Sequence, residues 1–286
     1  MKGPRLAPAL LLVAGLLTGW PATASAQADT ISARPLFTGA DALLAGGILL
    51  SARLIHPLDA HYMRKLQDSS TQANRKLQLL ARVVRTTAAP GAWIIGGTMY
   101  TAGRLAKNTK LADLGLHGTE ALLVGELTAT VLKGTIGRAR PYVNGNPNDY
   151  GLGRGFRSGN YKSFPSGHSV AAFAAAAAVS SETSRWAPGS RWIVGPVMYG
   201  GAALVGASRM YNNQHWASDV IVGAGIGTLA GLKVVRYHHS HPGNRLDRWL
   251  LAGSLVPNGE GGRSLRWSLM PGGLPGNSPP PLPDAP

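Results

Sequence analysis

The chain has 286 residues, no cysteine, and 28 lysines and arginines against 13 acidic residues, for a net charge of +15. The missing cysteines exclude disulfide staples and thiol chemistry, and the length suffices for one fully packed domain with tails. The charge calls for an anionic partner: nucleic acid, anionic lipid or a phosphorylated small molecule. Aromatic residues make up 7%, with no nucleic-acid motif or block of consecutive basic residues, so no nucleic-acid partner is expected.

In chain order, residues 1–26 predict a signal peptide. Lys2 and Arg5 form a positive start, "LAPALLLVAGLL" an apolar stretch, and "ASA" a small-residue cleavage site. The apolar stretch is short of the roughly 20 residues of a membrane span. The expectation is an exported chain that starts near Gln27, in the periplasm or cell envelope.

Residues 27–87 begin as a loose leader, followed by an apolar helix near 40–55. A basic amphipathic stretch follows over 56–87, with Arg64, Lys65, Arg75, Lys76, Arg82 and Arg85. It reads as a surface helix or pair of helices that could rest on an anionic membrane surface, or simply as a solvated face. Residues 88–236 form the expected core, with Ala/Gly-rich helical segments near 88–103, 116–133, 167–181, 191–207 and 216–235. Alternating strand patterns are scarce. The predicted fold is therefore all-α, a bundle of about six core helices.

After the core, residues 237–270 form an extension with a short β-hairpin predicted around Asn258–Gly262. Residues 271–286, "PGGLPGNSPPPLPDAP", are too rich in proline and glycine to pack and read as disordered. His238, His239 and His241 resemble a metal cluster, but a basic segment after a helix favours solvated side chains. His56, His61 and His117 lack a visible partner and read as structural. Glu120, Glu126, Asp41 and Arg53 interrupt the apolar segments and the mean hydropathy is +0.01, which favours a soluble or surface-bound bundle over a membrane-embedded one. That choice stays open, as does the oligomeric state.

Three clusters carry chemistry. "KGTIGRARP" places Lys133, Arg138 and Arg140 at a fraying helix end; alone, it is also what a helix dipole favours. "PSGH" places Ser166 as an N-cap before an alanine run. Backbone N–H groups, the hydroxyl and the helix dipole then aim at one point, Gly167 permits close approach, and His168 can move a proton there. "SRMYNNQHWASD" holds Arg209, a planar fork suited to phosphate, and His215 with Asp219 one turn on, within hydrogen-bonding reach. A carboxylate on one imidazole nitrogen fixes the tautomer and raises the basicity of the other.

In that order the clusters resemble the signature of the type 2 phosphatidic acid phosphatase and vanadium haloperoxidase superfamily, over roughly residues 90–236. The resemblance implies a site at one end of the bundle that binds a phosphoryl group without a metal or other cofactor. Lys133, Arg140 and Arg209 would clamp the phosphate, with hydrogen bonds from Ser166 and the Gly167 amide. His215, oriented by Asp219, would attack phosphorus and become phosphohistidine. His168 would protonate the leaving group and then activate water, while Arg138 reads as peripheral. The implied activity is a metal-independent phosphatase on phosphomonoesters or diphosphates, with a lipid phosphate or polyprenyl diphosphate as substrate. Two rivals are a vanadium-dependent haloperoxidase, usually a longer chain, and a non-catalytic envelope protein that binds phosphate or anionic lipid.

Overall fold

The computed structural model describes residues 37–241, 253–257 and 263–267. The expected signal peptide, the 258–262 turn and the 271–286 tail lie outside the described residues. Helix α1 (Gly39–Ile55) starts where the Thr38 amide donates to Asp41 Oδ2 at 2.7 Å. Two amphipathic helices follow, α2 (Asp59–Leu66) and α3 (Arg75–Thr86), the latter capped by the Asn74 side chain. The long segments are α4 (Ala92–Leu105), α5 (Thr109–Ile136), α6 (Gly167–Trp186), α7 (Arg191–Tyr211) and α8 (Ala217–Ser240). The fold is all-α, as expected. The one sheet among the described residues is the predicted hairpin, β1 (Gly253–Pro257) paired antiparallel with β2 (Arg263–Trp267).

Helix α6 is central, packed on α5, α7 and α8; α4 lies on α5, α1 on α8 and α3 on α7. The core is small-residue packing rather than interlocked large side chains. Ala171, Ala174 and Ala178 of α6 are fully buried, and Gly223, Gly227 and Gly231, spaced one turn apart on α8, lie against Ser166 and Ser169, Val170 and Ala174, and Ala174 to Ala178 of that helix and its cap. A Cβ on Gly227 would stand 2.2 Å from the Val170 carbonyl oxygen, and one on Gly231 2.6 Å from that of Ala174. The two backbones can approach this closely only because α8 carries no side chain there.

Large apolar side chains sit outside instead. Leu43, Leu49 and Leu54 of α1, Leu123 and Leu127 of α5, and Trp192 and Ile193 of α7 are all exposed. The stretches Gly39–Leu66 and Ala217–Ser240 are long and apolar enough to cross a membrane, by length and composition. The acidic residues that favoured a soluble bundle are turned inward. Asp41 pairs with Lys233, Glu120 pairs with His238, and Glu126 accepts a hydrogen bond from Trp93. A charge with a partner inside the bundle does not keep the outer face of its helix in water.

The solvated reading of the C-terminal histidines fails for His238, while His239 is exposed yet paired. His238 is buried against Glu120, and His239 Nε2 lies 2.9 and 3.0 Å from the two Glu182 oxygens. His117, which showed no partner in the sequence, meets the same carboxylate.

Candidate active site

Four helix ends build one pocket floor. Helix α5 stops at Gly137, whose φ of +59° is the left-handed conformation of a helix cap; the Gly137 amide closes on the Lys133 carbonyl. Lys133 is thereby held in the last turn, and Arg138–Pro141 leave along the end of the bundle. Helix α6 starts at Ser166, whose hydroxyl accepts from the Ser169 amide at 3.4 Å and from its hydroxyl at 2.9 Å. Helix α7 delivers Arg209 in its last turn, and α8 starts after Trp216, with Asp219 in its first turn.

The structure brings every predicted site residue to this end. The Lys133 ammonium donates to the Pro165 carbonyl and lies against Gly167. Arg140 donates from Nε to the Gly159 carbonyl at 3.0 Å and from Nη1 to Gln214, a residue to which the sequence gave no role. Arg209 is buried, yet its Nε and Nη1 have no hydrogen-bond partner. Arg85 of α3 adds a further charge that is felt by Arg209 and His168. The signal for Arg85 in the sequence was only a basic helix face.

His215 is buried, and its Nδ1 lies 2.7 Å from the Ser163 carbonyl oxygen. A carbonyl only accepts, so Nδ1 carries the proton and Nε2 keeps its lone pair. The predicted hydrogen bond to Asp219 is not the one formed: Nδ1 and Asp219 Oδ2 are 3.9 Å apart. Asp219 acts through Ser163 instead. Its Oδ2 accepts from the Ser163 hydroxyl at 2.6 Å and from the Trp216 amide at 2.9 Å, and its main-chain oxygen accepts from the Ser166 amide at 3.0 Å. One aspartate thus ties the second motif to the third.

Arg138 is central rather than peripheral. It is fully buried, donating from Nη1 to Asp219 Oδ1 at 2.5 Å and from Nη2 to Asp59 Oδ2 at 2.8 Å. Asp59 of α2, which the sequence did not single out, also accepts from the Ser218 amide at 2.9 Å and its hydroxyl at 2.6 Å. Trp216 Nε1 donates to the Ala139 carbonyl at 2.9 Å. These bonds join all three motifs to α2 below the pocket. Such a pair stands in a dry interior only because both carboxylates have further donors.

The electrostatics divide accordingly. Asp219 is already matched by Arg138, so Lys133, Arg140 and Arg209 face the pocket with no carboxylate of their own. Burial, then Arg209, Lys133, Arg85 and Arg140, lower the His168 pKa to about 4. Burial, followed by the cations Lys133, Arg140 and Arg209, holds His215 well below the ordinary imidazole value. Burial also draws Lys133 down to about 7, with Arg140 and Arg209 adding to the fall and Asp219 opposing it. Both imidazoles are neutral at pH 7, and an incoming anion meets a field that favours it.

Helical bundle and cationic, histidine-bearing floor together define a class: an all-α protein with buried cations and neutral imidazoles gathered at one end. Residues 116–242, somewhat less than half of the chain, match the PAP2 superfamily. The lipid A 1-phosphatase of Porphyromonas gingivalis is 40% identical over 89 residues, 30% of this chain and 19% of that protein, so the chain aligns with about a fifth of the relative's length. Two solved structures are also similar. Aquifex aeolicus LpxE is 21% identical, with a TM-score of 0.46 over 63% of this chain and 96% of its own. The first transmembrane PAP2 type phosphatidylglycerolphosphate phosphatase from Bacillus subtilis is 20% identical, with a TM-score of 0.48 over 72% of this chain and 98% of its own.

Proposed function

We propose that the chain is a lipid phosphatase of the PAP2 type, working through a phosphohistidine intermediate and drawing its charge neutralisation from side chains. The observation that carries the reading is Arg209: a buried guanidinium with two unpartnered nitrogens, beside two further cations and a histidine whose free lone pair is fixed by Ser163. A phosphate dianion supplies the acceptors that Arg209 lacks and the charge that the cluster opposes.

In this mechanism Lys133, Arg140 and Arg209 hold the equatorial oxygens, with Ser166 and the Gly167 amide at the α6 N-terminus. His215 Nε2 attacks phosphorus in line, the P–O bond to the leaving group breaks, and His168 gives that oxygen a proton. Water, deprotonated by His168, then cleaves the P–N bond and releases phosphate. His168 resists protonation beside Arg209 and Lys133; bound phosphate offsets those charges and raises its affinity for a proton as the reaction begins.

The lipid preference rests on the outer surface. An apolar belt this extensive, around a bundle held together by glycine and alanine, suits a hydrocarbon surrounding. It supports a membrane-associated enzyme of the cell envelope, with the motif end at the headgroup level.

The test is phosphate release by purified protein in EDTA, wild type beside His215→Ala. Short-chain phosphatidate, a polyprenyl diphosphate and p-nitrophenyl phosphate are supplied in equal amounts. Release that needs His215, survives EDTA and favours a lipid is the expected result. Equal release by both proteins, or loss in EDTA while the chain stays folded, rejects the mechanism. Release from p-nitrophenyl phosphate alone rejects the lipid assignment.

A further inference from the structure

The opposite end of the bundle carries its own cluster of ionisable groups. His117 is sixteen residues before Lys133 on α5, Glu182 fourteen after His168 on α6, and His239 twenty after Asp219 on α8. At 1.5 Å per residue the cluster lies about 20–30 Å from the pocket floor. The His117 Nδ1, His239 Nε2 and Glu182 carboxylate atoms all lie within 4.8 Å of one another. Beside them His238 stacks on His117 with ring centroids 4.2 Å apart and hydrogen-bonds Glu120.

Two features of this cluster exceed what helix packing needs. Glu120 and Glu182 are largely removed from water, and their ion partners among the described residues are histidines, with no lysine or arginine. Glu120 Oε1 is buried with no hydrogen-bond partner. Two imidazoles and a carboxylate are also a donor set for zinc, which takes nitrogen and oxygen ligands at about 2.0–2.2 Å in tetrahedral geometry. That spacing puts ligand atoms roughly 3.3 Å apart, a small widening of the present 2.9–3.0 Å between His239 and Glu182 and a larger one of the closer His117–Glu182 contact. His239 is partly exposed and gives an ion a way in, while His117 and Glu182 are buried.

We propose that His117, Glu182 and His239 form a divalent transition-metal site, best suited to zinc, with His238 and Glu120 supporting it from the next layer. The site joins the N-terminal half of α5 to the C-terminal ends of α6 and α8, clamping the three helices at the end remote from the pocket. It is independent of the phosphatase reading, because none of its residues belongs to the three motifs.

The test uses the full chain without a histidine tag, in detergent, stripped with EDTA, dialysed and titrated with Zn²⁺ or Co²⁺. The expected result is one tightly bound equivalent, visible Co²⁺ bands of tetrahedral intensity and a zinc-dependent rise in melting temperature. His239→Ala removes an exposed ligand and is expected to weaken binding on the order of 100-fold or more, abolishing both spectrum and melting shift. His168→Ala, at the other end, should leave all three unchanged. Absence of a stoichiometric site in the wild type overturns the proposal whatever the variants do. So does undiminished binding by His239→Ala, or loss of binding in His168→Ala, which would move the metal to the pocket. Should His239→Ala fail to fold, His239→Asn provides the same comparison.

Discussion

The two ends of the bundle are built on the same helices with opposite electrostatic logic. At the motif end, arginines and a lysine outnumber the carboxylates, and the one aspartate in the floor is already matched by Arg138. At the remote end, the ion partners of Glu120 and Glu182 among the described residues are histidines. The first arrangement attracts an anion and keeps two imidazoles neutral. The second gathers carboxylate and imidazole ligands and is where the proposed metal ion would sit. Burial and the fixed charges around a histidine together decide what it can do.

Four experiments would break or sharpen that contrast. The largest effect is expected from His215→Ala, which should lower kcat by on the order of 10³-fold or more, as nucleophile deletions do. Residual turnover near the wild-type rate would remove the phosphohistidine step. Next is Arg138→Ala, which leaves Asp59 and Asp219 buried without their shared partner. A destabilisation of about 3–5 kcal/mol is expected, measured by chemical or thermal denaturation; a loss of under about 1 kcal/mol would return Arg138 to the periphery.

Third, Gly227→Ala drives a methyl group against the Val170 carbonyl and should cost about 1–3 kcal/mol, together with a fall in activity as the two helix starts shift. A melting temperature equal to that of wild type would show that α6 and α8 separate easily. The smallest effect is in the pH dependence. The folded chain holds His168 at about 4, whereas the unfolded chain binds a proton near 6.5. Stability from this group is therefore complete above 6.5 and lost as pH falls towards 4. His168→Gln should flatten the melting temperature between those limits relative to wild type, and an unchanged slope would mean that other groups set the acid limb.

Much of the fold was legible because long apolar segments, glycine and proline breaks and capping residues are local signals. The expected helices 116–133 and 167–181 were found within α5 and α6. The three motifs were legible as an ordered set, and they converge. What could not be read were partners far apart in the chain. Arg138 meets Asp59 across 79 residues and Ser218 meets Asp59 across 159, and no periodicity links them. His215 and Asp219 are neighbours as their spacing requires, but the carbonyl of Ser163 takes the hydrogen bond, which only the approach of a loop could decide. Glu120 misled for a related reason: its position on a helix was clear, but whether that face turned inward depended on His238.

The glycine stripe of α8 also has a consequence for substrate range. Helices α6 and α8 begin at Ser166 and Trp216, and their backbones touch with no room for another methyl group. Their contact works as a fixed gauge that sets the distance between the second and third motifs. A gauge without slack cannot be retuned by neighbouring substitutions, so under the proposed function the floor that would grip the phosphate is the same for every substrate. Selectivity would then be written in the 142–162 segment and the outer face of α3, where side chains can change without moving the helices beneath them.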